Sequence, residues 1–160
     1  MTNGVQWAVT IDGAENTLAL WAHRLQNAEP AFDEMADALA VIQKDWFRSQ
    51  GEGTWPQLKE PYRSWKQKRF PKRGILHGPD RPGHRGLQLR DQLTKRPFGY
   101  ERVTRSELVI GSTLPYSKYH QLGMGNMPVR QPLKPLDART IEILKRIIQT
   151  HIVEQTIRGR

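Results

Sequence analysis

The chain has 160 residues, carries a formal net charge of +9 and contains no cysteine. A chain of this length can bury a self-sufficient core, so we expect residues 1–160 to form a single domain. The lack of cysteine excludes disulfides, thiolate metal ligands and cysteine nucleophiles, and the lack of an apolar run of about 20 residues argues against a membrane span.

The first part of the chain predicts a strand and two helices. Apolar and polar residues alternate over residues 5–11, which indicates a strand with one buried face. Asn16 is placed to cap a helix over residues 17–28, which Pro30 then breaks. A longer helix follows over residues 31–49, because apolar residues recur on one face and acidic residues precede basic ones.

The middle third is strongly basic. Residues 59–105 contain 14 Lys and Arg against 4 Asp and Glu, so this third holds the whole positive excess. Such a field attracts nucleic acid or an acidic protein surface. Charge alone does not choose between these partners, and a solvated basic face without any partner has the same composition.

One helix and two loops are expected in this basic region and just before it. Residues 50–58 form a loop in which Trp55 covers the core, and a short helix follows over residues 61–68. Residues 66–86 are rich in glycine, proline and cations, so we expect a mobile loop that becomes ordered only against a partner. The basic residues predicted to face that partner or DNA are Lys66, Lys68, Arg69, Lys72, Arg73, Arg81 and Arg85.

The last third predicts a hairpin followed by a proline-rich segment. A short helix or strand over residues 87–93 leads into two strands, over residues 100–105 and 106–110. Residues 124–136 contain three prolines, which are incompatible with an ordinary helix or a central strand. We therefore expect this segment to be an extended arm that a single chain stabilises poorly without a partner, and we call it the arm below.

A final helix completes the predicted fold. Asp137 is placed to cap a helix over residues 138–156, with a stripe of isoleucine and leucine on one face. The fold class is therefore α+β: a small antiparallel or mixed sheet packed by two long helices, with a long basic loop and an extended arm.

The segment between the hairpin and the arm combines several local signals. Pro115 stands where a helix could start, since its missing N–H is not needed in a first turn. Tyr116, Tyr119 and His120 follow at i, i+3 and i+4 and share one face of such a helix. Gly123 is placed to end the helix in a left-handed conformation. Spacing alone also fits a simple connecting loop.

An ordered series of short motifs gives this segment a second interpretation. The series consists of Ile110-Gly111-Ser112, Tyr116, Tyr119-His120-Gln121, Gly123, Met127-Pro128 and Arg130. It resembles the signature of the bacteriophage virion-morphogenesis family, the Mu-like tail-completion proteins. In that family a Gly-Ser, Tyr-Ala and His-Gln-x-Gly pattern precedes a segment like Pro-Ala-Arg-Pro-Phe.

The resemblance extends upstream and has one departure. Trp55-Pro56-x-Leu58, Ile75-Leu76 and Leu87-x-Leu89-Arg90-Asp91 occur in the family's order, so the likeness runs from roughly Phe32 to the C terminus. Where the family has an Arg-Pro-aromatic sequence, this chain has Arg130-Gln131-Pro132-Leu133. The aromatic anchor is thus missing.

The resemblance implies a structural protein rather than an enzyme. Such a protein completes the phage tail and prepares head–tail joining as a ring-forming neck or tail-end component of the virion, assembled in the host cytoplasm. Its partners would be further copies of itself in a ring and other tail or neck proteins, with packaged DNA as a further candidate contact and no membrane. The implied assembly residues are Tyr116, Tyr119, His120, Gln121, Gly123, Pro128 and Arg130, with Arg130 as a hydrogen-bonding anchor.

The alternative function is a free-standing basic nucleic-acid-binding protein. Aromatic residues such as Tyr62, Trp65 and Phe70 are interleaved with the cations of the middle third, as in surfaces that stack on bases. Their alternation is irregular, which gives sequence-specific recognition of a single strand little support.

Catalytic and metal chemistry have weaker signals. His77, Asp80 and His84 are suitable ligand types for zinc or manganese, but their spacing matches no helix face. His120 has no Ser or carboxylate at motif spacing, and Gly123-x-Gly125 lacks the rest of a phosphate-binding loop. We therefore predict no catalytic residue, no metal and no cofactor.

Overall fold

The computed structural model describes residues 14–77 and 88–154. These ranges contain six α-helices and one two-stranded antiparallel sheet, and the last helix continues into a π-helical turn at Thr150–Glu154. The elements are α1 Ala14–Gln26, α2 Glu29–Arg48, α3 Tyr62–Arg69, α4 Leu89–Thr94, β1 Tyr100–Val103, β2 Leu108–Gly111, α5 Ser117–Leu122 and α6 Ala138–Gln149. The α+β class is confirmed: α2 lies against both strands, and α6 packs against α2 beside the sheet.

The first two helices begin earlier than predicted. Asn16 lies inside α1 and does not cap it, so that prediction was wrong. Pro30 lies in the first turn of α2 rather than ending α1, since a proline N–H is not needed at that position. The non-helical residues between α1 and α2 are instead Asn27 and Ala28. The strand predicted over residues 5–11 lies outside the described residues.

The predicted hairpin is confirmed with slightly shorter strands. Tyr100 pairs with Gly111 and Val103 pairs with Leu108. Thr104 closes the turn, because its N–H donates to the Glu107 carbonyl at 2.9 Å and its hydroxyl accepts the Glu107 N–H at 3.1 Å. The sequence predicted two strands that follow each other directly. In the structure, residues 104–107 form the turn between the strands and do not pair as strand residues.

Buried apolar side chains of the described residues form two clusters at opposite ends of α2. Near its start, Ala31 and Met35 contact Ile147 of α6. Near its end, Phe47 meets the Trp55 ring edge-on, with ring centroids 5.4 Å apart. The buried members of this second cluster are Trp46, Phe47, Trp55, Ile75, Leu89 and Leu93. The predicted role of Trp55 as a cover over the core is confirmed.

Arg96 ties the loop before β1 to the first turns of α2. Its guanidinium bonds Asp33 at 2.6 Å, Asp37 at 3.0 Å and Glu101 at 2.5 Å. Hydrogen bonds from Arg96 hold the pKa of the Glu101 carboxyl below its usual value, and the carboxylates raise the pKa of Arg96. The hairpin is thus fixed to α2 by charge pairs as well as by apolar packing.

Candidate assembly surface on α5 and the arm

The predicted short helix and its glycine stop are both present. Helix α5 begins after Tyr116 and ends at Gly123, whose φ of 71° is left-handed and whose N–H donates to the Tyr119 carbonyl at 2.9 Å. The ring of Tyr116 meets the ring of His120 edge-on, with centroids 6.3 Å apart. The sequence therefore located this helix and its end correctly.

Gly123→Ala should lower the free energy of unfolding by about 2 kcal/mol, because alanine resists positive φ and its Cβ would crowd the arm. That Cβ would lie 2.7 Å from Val129 Cγ2 and 3.2 Å from the Met127 carbonyl oxygen. Gly53→Ala is the matched control: its φ is 81°, but none of the described atoms lies within 4 Å of the added Cβ. Urea denaturation should show that the control substitution lowers the free energy of unfolding by only about 1 kcal/mol. Equal losses for both variants would contradict the crowding argument.

The arm runs without helix or strand but is fastened to its own chain. Residues 124–136, all described, have no regular secondary structure. Trp46 Nε1 donates to the Gln131 carbonyl at 2.8 Å, and Gln43 Oε1 accepts the Lys134 N–H at 3.0 Å. Pro132 is among the most deeply buried residues. The arm is therefore packed along α2, and the expectation that it needs a partner to be stabilised was wrong.

Two of the predicted assembly residues hold this packing together. Gln121 pairs with both backbone groups of Leu133, accepting its N–H at 3.1 Å and donating to its carbonyl at 3.5 Å. Arg130 is only 5% exposed and donates to the carbonyls of Pro56 and Gln57 at 2.7 and 3.0 Å. Burial lowers the pKa of Arg130.

The structure corrects the role predicted for Arg130. Its donors bond two carbonyls of the 50–58 loop and its own side chain is buried, so the guanidinium anchors the arm internally and is not presented to a neighbour. The backbone N–H of Arg130 also donates to the His120 carbonyl at 2.9 Å, which joins the arm to α5. Arg130 therefore helps to position the exposed surface that α5 and the arm form together.

That surface is apolar and exposed. No residue of α5, which the structure describes in full, is buried. The arm folds back over the helix end, since a Cβ at Gly125 would lie 3.5 Å from the Tyr119 ring. Exposed fractions run from 37% to 66% for the six large apolar side chains that we call the assembly patch: Tyr116, Tyr119, Leu122, Met124, Met127 and Val129. Six large apolar side chains exposed within one short stretch mark an interaction site more often than single exposed apolar residues do.

Two predicted members of the site lie at its edge. Pro128 is half-buried within the arm, and Gly123 shapes the bend between helix and arm. The predicted assembly residues did not include four members of the patch: Leu122, Met124, Met127 and Val129. The signal that could have found them is an apolar run beside Gly and Pro, in a helix too short to bury a face.

The described part of the basic loop is folded rather than mobile. Lys66 is buried, and its ammonium donates to the carbonyls of Gly74 and Ile75 at 2.7 and 2.6 Å. Ile75 enters the core cluster. Burial, followed by the charges of Arg73 and Arg130, lowers the pKa of Lys66 to about 8. The prediction of a mobile loop from residue 66 was thus wrong for residues 66–77, while Arg81 and Arg85 lie outside the described residues.

A cavity of about 390 Å³ lies beneath the assembly patch. It brings Tyr116, His120 and Arg130 together with Lys66 and His77. Burial lowers the pKa of His77 to about 4, aided by the charges of Arg90, Lys66 and Arg73, and burial followed by Arg130 lowers the pKa of His120. Both imidazoles are therefore neutral near pH 7.

The described lining of this cavity contains no carboxylate. It has no Asp, Glu, Ser or Thr, so neither histidine is paired there with a carboxylate or with a serine or threonine hydroxyl. Within the described ranges, no group of three His, Cys, Asp or Glu residues could hold a metal ion. Asp80 and His84 of the candidate metal set lie outside those ranges. In the described part of the chain, no helix has the length and apolar character needed to cross a membrane.

Comparison with known proteins gave no relative: no family model, curated protein or solved structure matches the chain.

Proposed function

We propose that the chain is a structural phage morphogenesis protein that completes the tail and prepares it for joining to the head. The assembly patch supports this proposal best. It exposes six large apolar side chains within one short stretch, and that stretch is the one whose motifs resemble the tail-completion family. In this proposal the protein acts by assembly and not by turnover.

The patch has the composition of a subunit interface. Tyr116, Tyr119 and the two methionines are residue types enriched in interface centres, where aromatic and flexible apolar groups fill a partner's surface. The ammonium of Lys118 lies 5.5 Å from the centroid of the Tyr119 ring and supplies a charged rim. Complete burial of each half-exposed side chain would contribute about 1 kcal/mol.

The proposed geometry is head-to-tail. A patch on one face that contacts a different face of the next copy closes into a ring when the rotation between copies permits. The attachment of the arm to α2 favours association of any geometry, because the patch is already ordered in one chain and little entropy is lost on binding. Other tail or neck proteins would then meet the completed ring.

Leu122→Glu should weaken this association about 100-fold, because the substitution places a carboxylate in the interface. Leu122 is 66% exposed, so the folded monomer should tolerate the change. Sedimentation velocity over a range of concentrations measures the association. Val41→Glu is the matched control, since Val41 is 62% exposed on α2 and lies outside the patch.

The following results would support or refute the proposed role in tail completion. Wild-type protein that forms a closed oligomer or binds isolated tails, with Leu122→Glu defective and Val41→Glu normal, supports it. In the phage genome that the proposal requires, deletion of the gene should leave heads and tails unjoined. Finished infectious particles from such a deletion, or equal association by both variants, would refute the proposed role.

A further inference from the structure

One face of α3 carries exposed aromatic rings beside exposed cations. Tyr62 and Trp65 are 51% and 52% exposed, and their rings stack with centroids 5.4 Å apart and an interplanar angle of 24°. Arg69 follows at the spacing that places it on the same helix face. Large aromatic side chains stabilise a protein most when they are buried, so two exposed, stacked rings indicate a surface that binds a ligand.

The aromatic row continues beyond the helix. Phe70 meets Trp65 edge-on at a centroid distance of 5.8 Å, and the Arg73 guanidinium lies 5.2 Å from the centroid of the Phe70 ring. Three rings and a guanidinium therefore form one row along the surface. Trp65 does not belong to the described lining of the cavity beneath the assembly patch, whereas Tyr62, on which it stacks, does.

The charge around this row is almost entirely positive. Residues 59–73 contain seven Lys and Arg and a single acid, Glu60, which accepts a hydrogen bond from Arg63 at 2.9 Å. Lys66 is turned into the fold and does not contribute to the surface. The exposed cations within this stretch are Lys59, Arg63, Lys68, Arg69 and Lys72.

We propose that this face of α3 binds single-stranded nucleic acid, with bases stacked on Trp65 and Tyr62 and phosphates contacted by Arg69 and its neighbours. Alternating cations and flat rings suit a strand whose bases are unpaired, because every base offers a ring face and every linkage a negative charge. A duplex hides its base faces, and an acidic peptide would use the cations but leave the rings without a partner. The rings are therefore the observation that selects the ligand.

Binding is measured by fluorescence anisotropy with a labelled thymidine oligomer of about 20 nucleotides. We expect Trp65→Ala to weaken binding about tenfold and Trp65→Phe to restore most of it, since stacking needs a ring rather than an indole. Raising salt from about 50 to about 200 mM should weaken wild-type binding about 20-fold, as expected for about three phosphate contacts. Lys68→Ala should reduce this salt dependence.

The controls use exposed residues of the same types elsewhere. Tyr100→Ala removes a 45% exposed ring on β1, and Lys145→Ala removes a 60% exposed side chain on α6. Both should bind the oligomer as the wild type does. A Trp65→Ala variant with unchanged affinity, a duplex bound as tightly as the single strand, or full competition by polyglutamate would each overturn the inference. Leu122→Glu should leave this binding intact, so its result is separable from that of the assembly proposal.

Discussion

Phe47→Ala is expected to lower the free energy of unfolding by about 3–5 kcal/mol, which is the typical cost of truncating a buried phenylalanine. Phe47 is 2% exposed and is among the largest fully buried side chains. Its ring meets Trp55 edge-on at 5.4 Å and lies 6.4 Å from the His77 ring, so its removal opens a cavity between three elements. A loss of this size is a large part of the stability of an ordinary domain.

Urea denaturation followed by circular dichroism measures this loss. Phe70→Ala is the matched control, because Phe70 is only half-buried and lies outside both core clusters. It should cost about 1 kcal/mol or less. Equal denaturation midpoints for the two variants would show that the core cluster around Phe47 is not the main source of stability.

The elements with strong local signals were predicted well. The apolar stripes located α2 and α6 to within two residues at their first turns, since such stripes depend only on neighbouring residues. Asp137 caps α6 as expected, its carboxylate accepting the Thr140 N–H at 2.8 Å. The predicted end of this helix at residue 156 lies outside the described residues; within them α6 continues as a π-helical turn from Thr150 to Glu154.

The packing of the arm could not be predicted in the same way. The prolines predicted that residues 124–136 have no regular secondary structure, but they did not predict where the segment packs. Its position depends on Trp46 and Gln43, which the apolar stripe of α2 identified only as inward-facing. These bonds join residues about 90 positions apart, and no local pattern in the sequence carries such a pairing.

The candidate surface was predicted in part for the same reason. Tyr116 and Tyr119 are exposed in the assembly patch, but Gln121 and Arg130 turned out to bond within the chain. A motif gives residue types and spacing, whereas the direction of each side chain depends on where the arm docks. The role of the motif is therefore divided: some members form the surface, and others hold it in place.

Arg130→Met should lower the free energy of unfolding by about 3 kcal/mol, because it removes two hydrogen bonds from a charged donor, each worth about 1.5 kcal/mol. Methionine keeps most of the side-chain volume, so the loss reports the hydrogen bonds rather than a cavity. Chemical denaturation measures the energy, and amide hydrogen exchange at Leu133 shows whether the arm has loosened. Arg139→Met, on the exposed side of α6, is the control and should be within about 0.5 kcal/mol of the wild type.

The two measurements on Arg130→Met together test whether an internal anchor controls the surface. If the arm exchanges faster and self-association weakens while Leu122 is unchanged, Arg130 acts on the assembly patch through the arm, since its own side chain is buried. An arm that stays protected would mean that Trp46 and Gln43 suffice to hold it. Trp46→Phe, which removes the bond to Gln131 and part of the indole ring that packs against Trp55 and Lys134, should then have the larger effect on exchange at the arm.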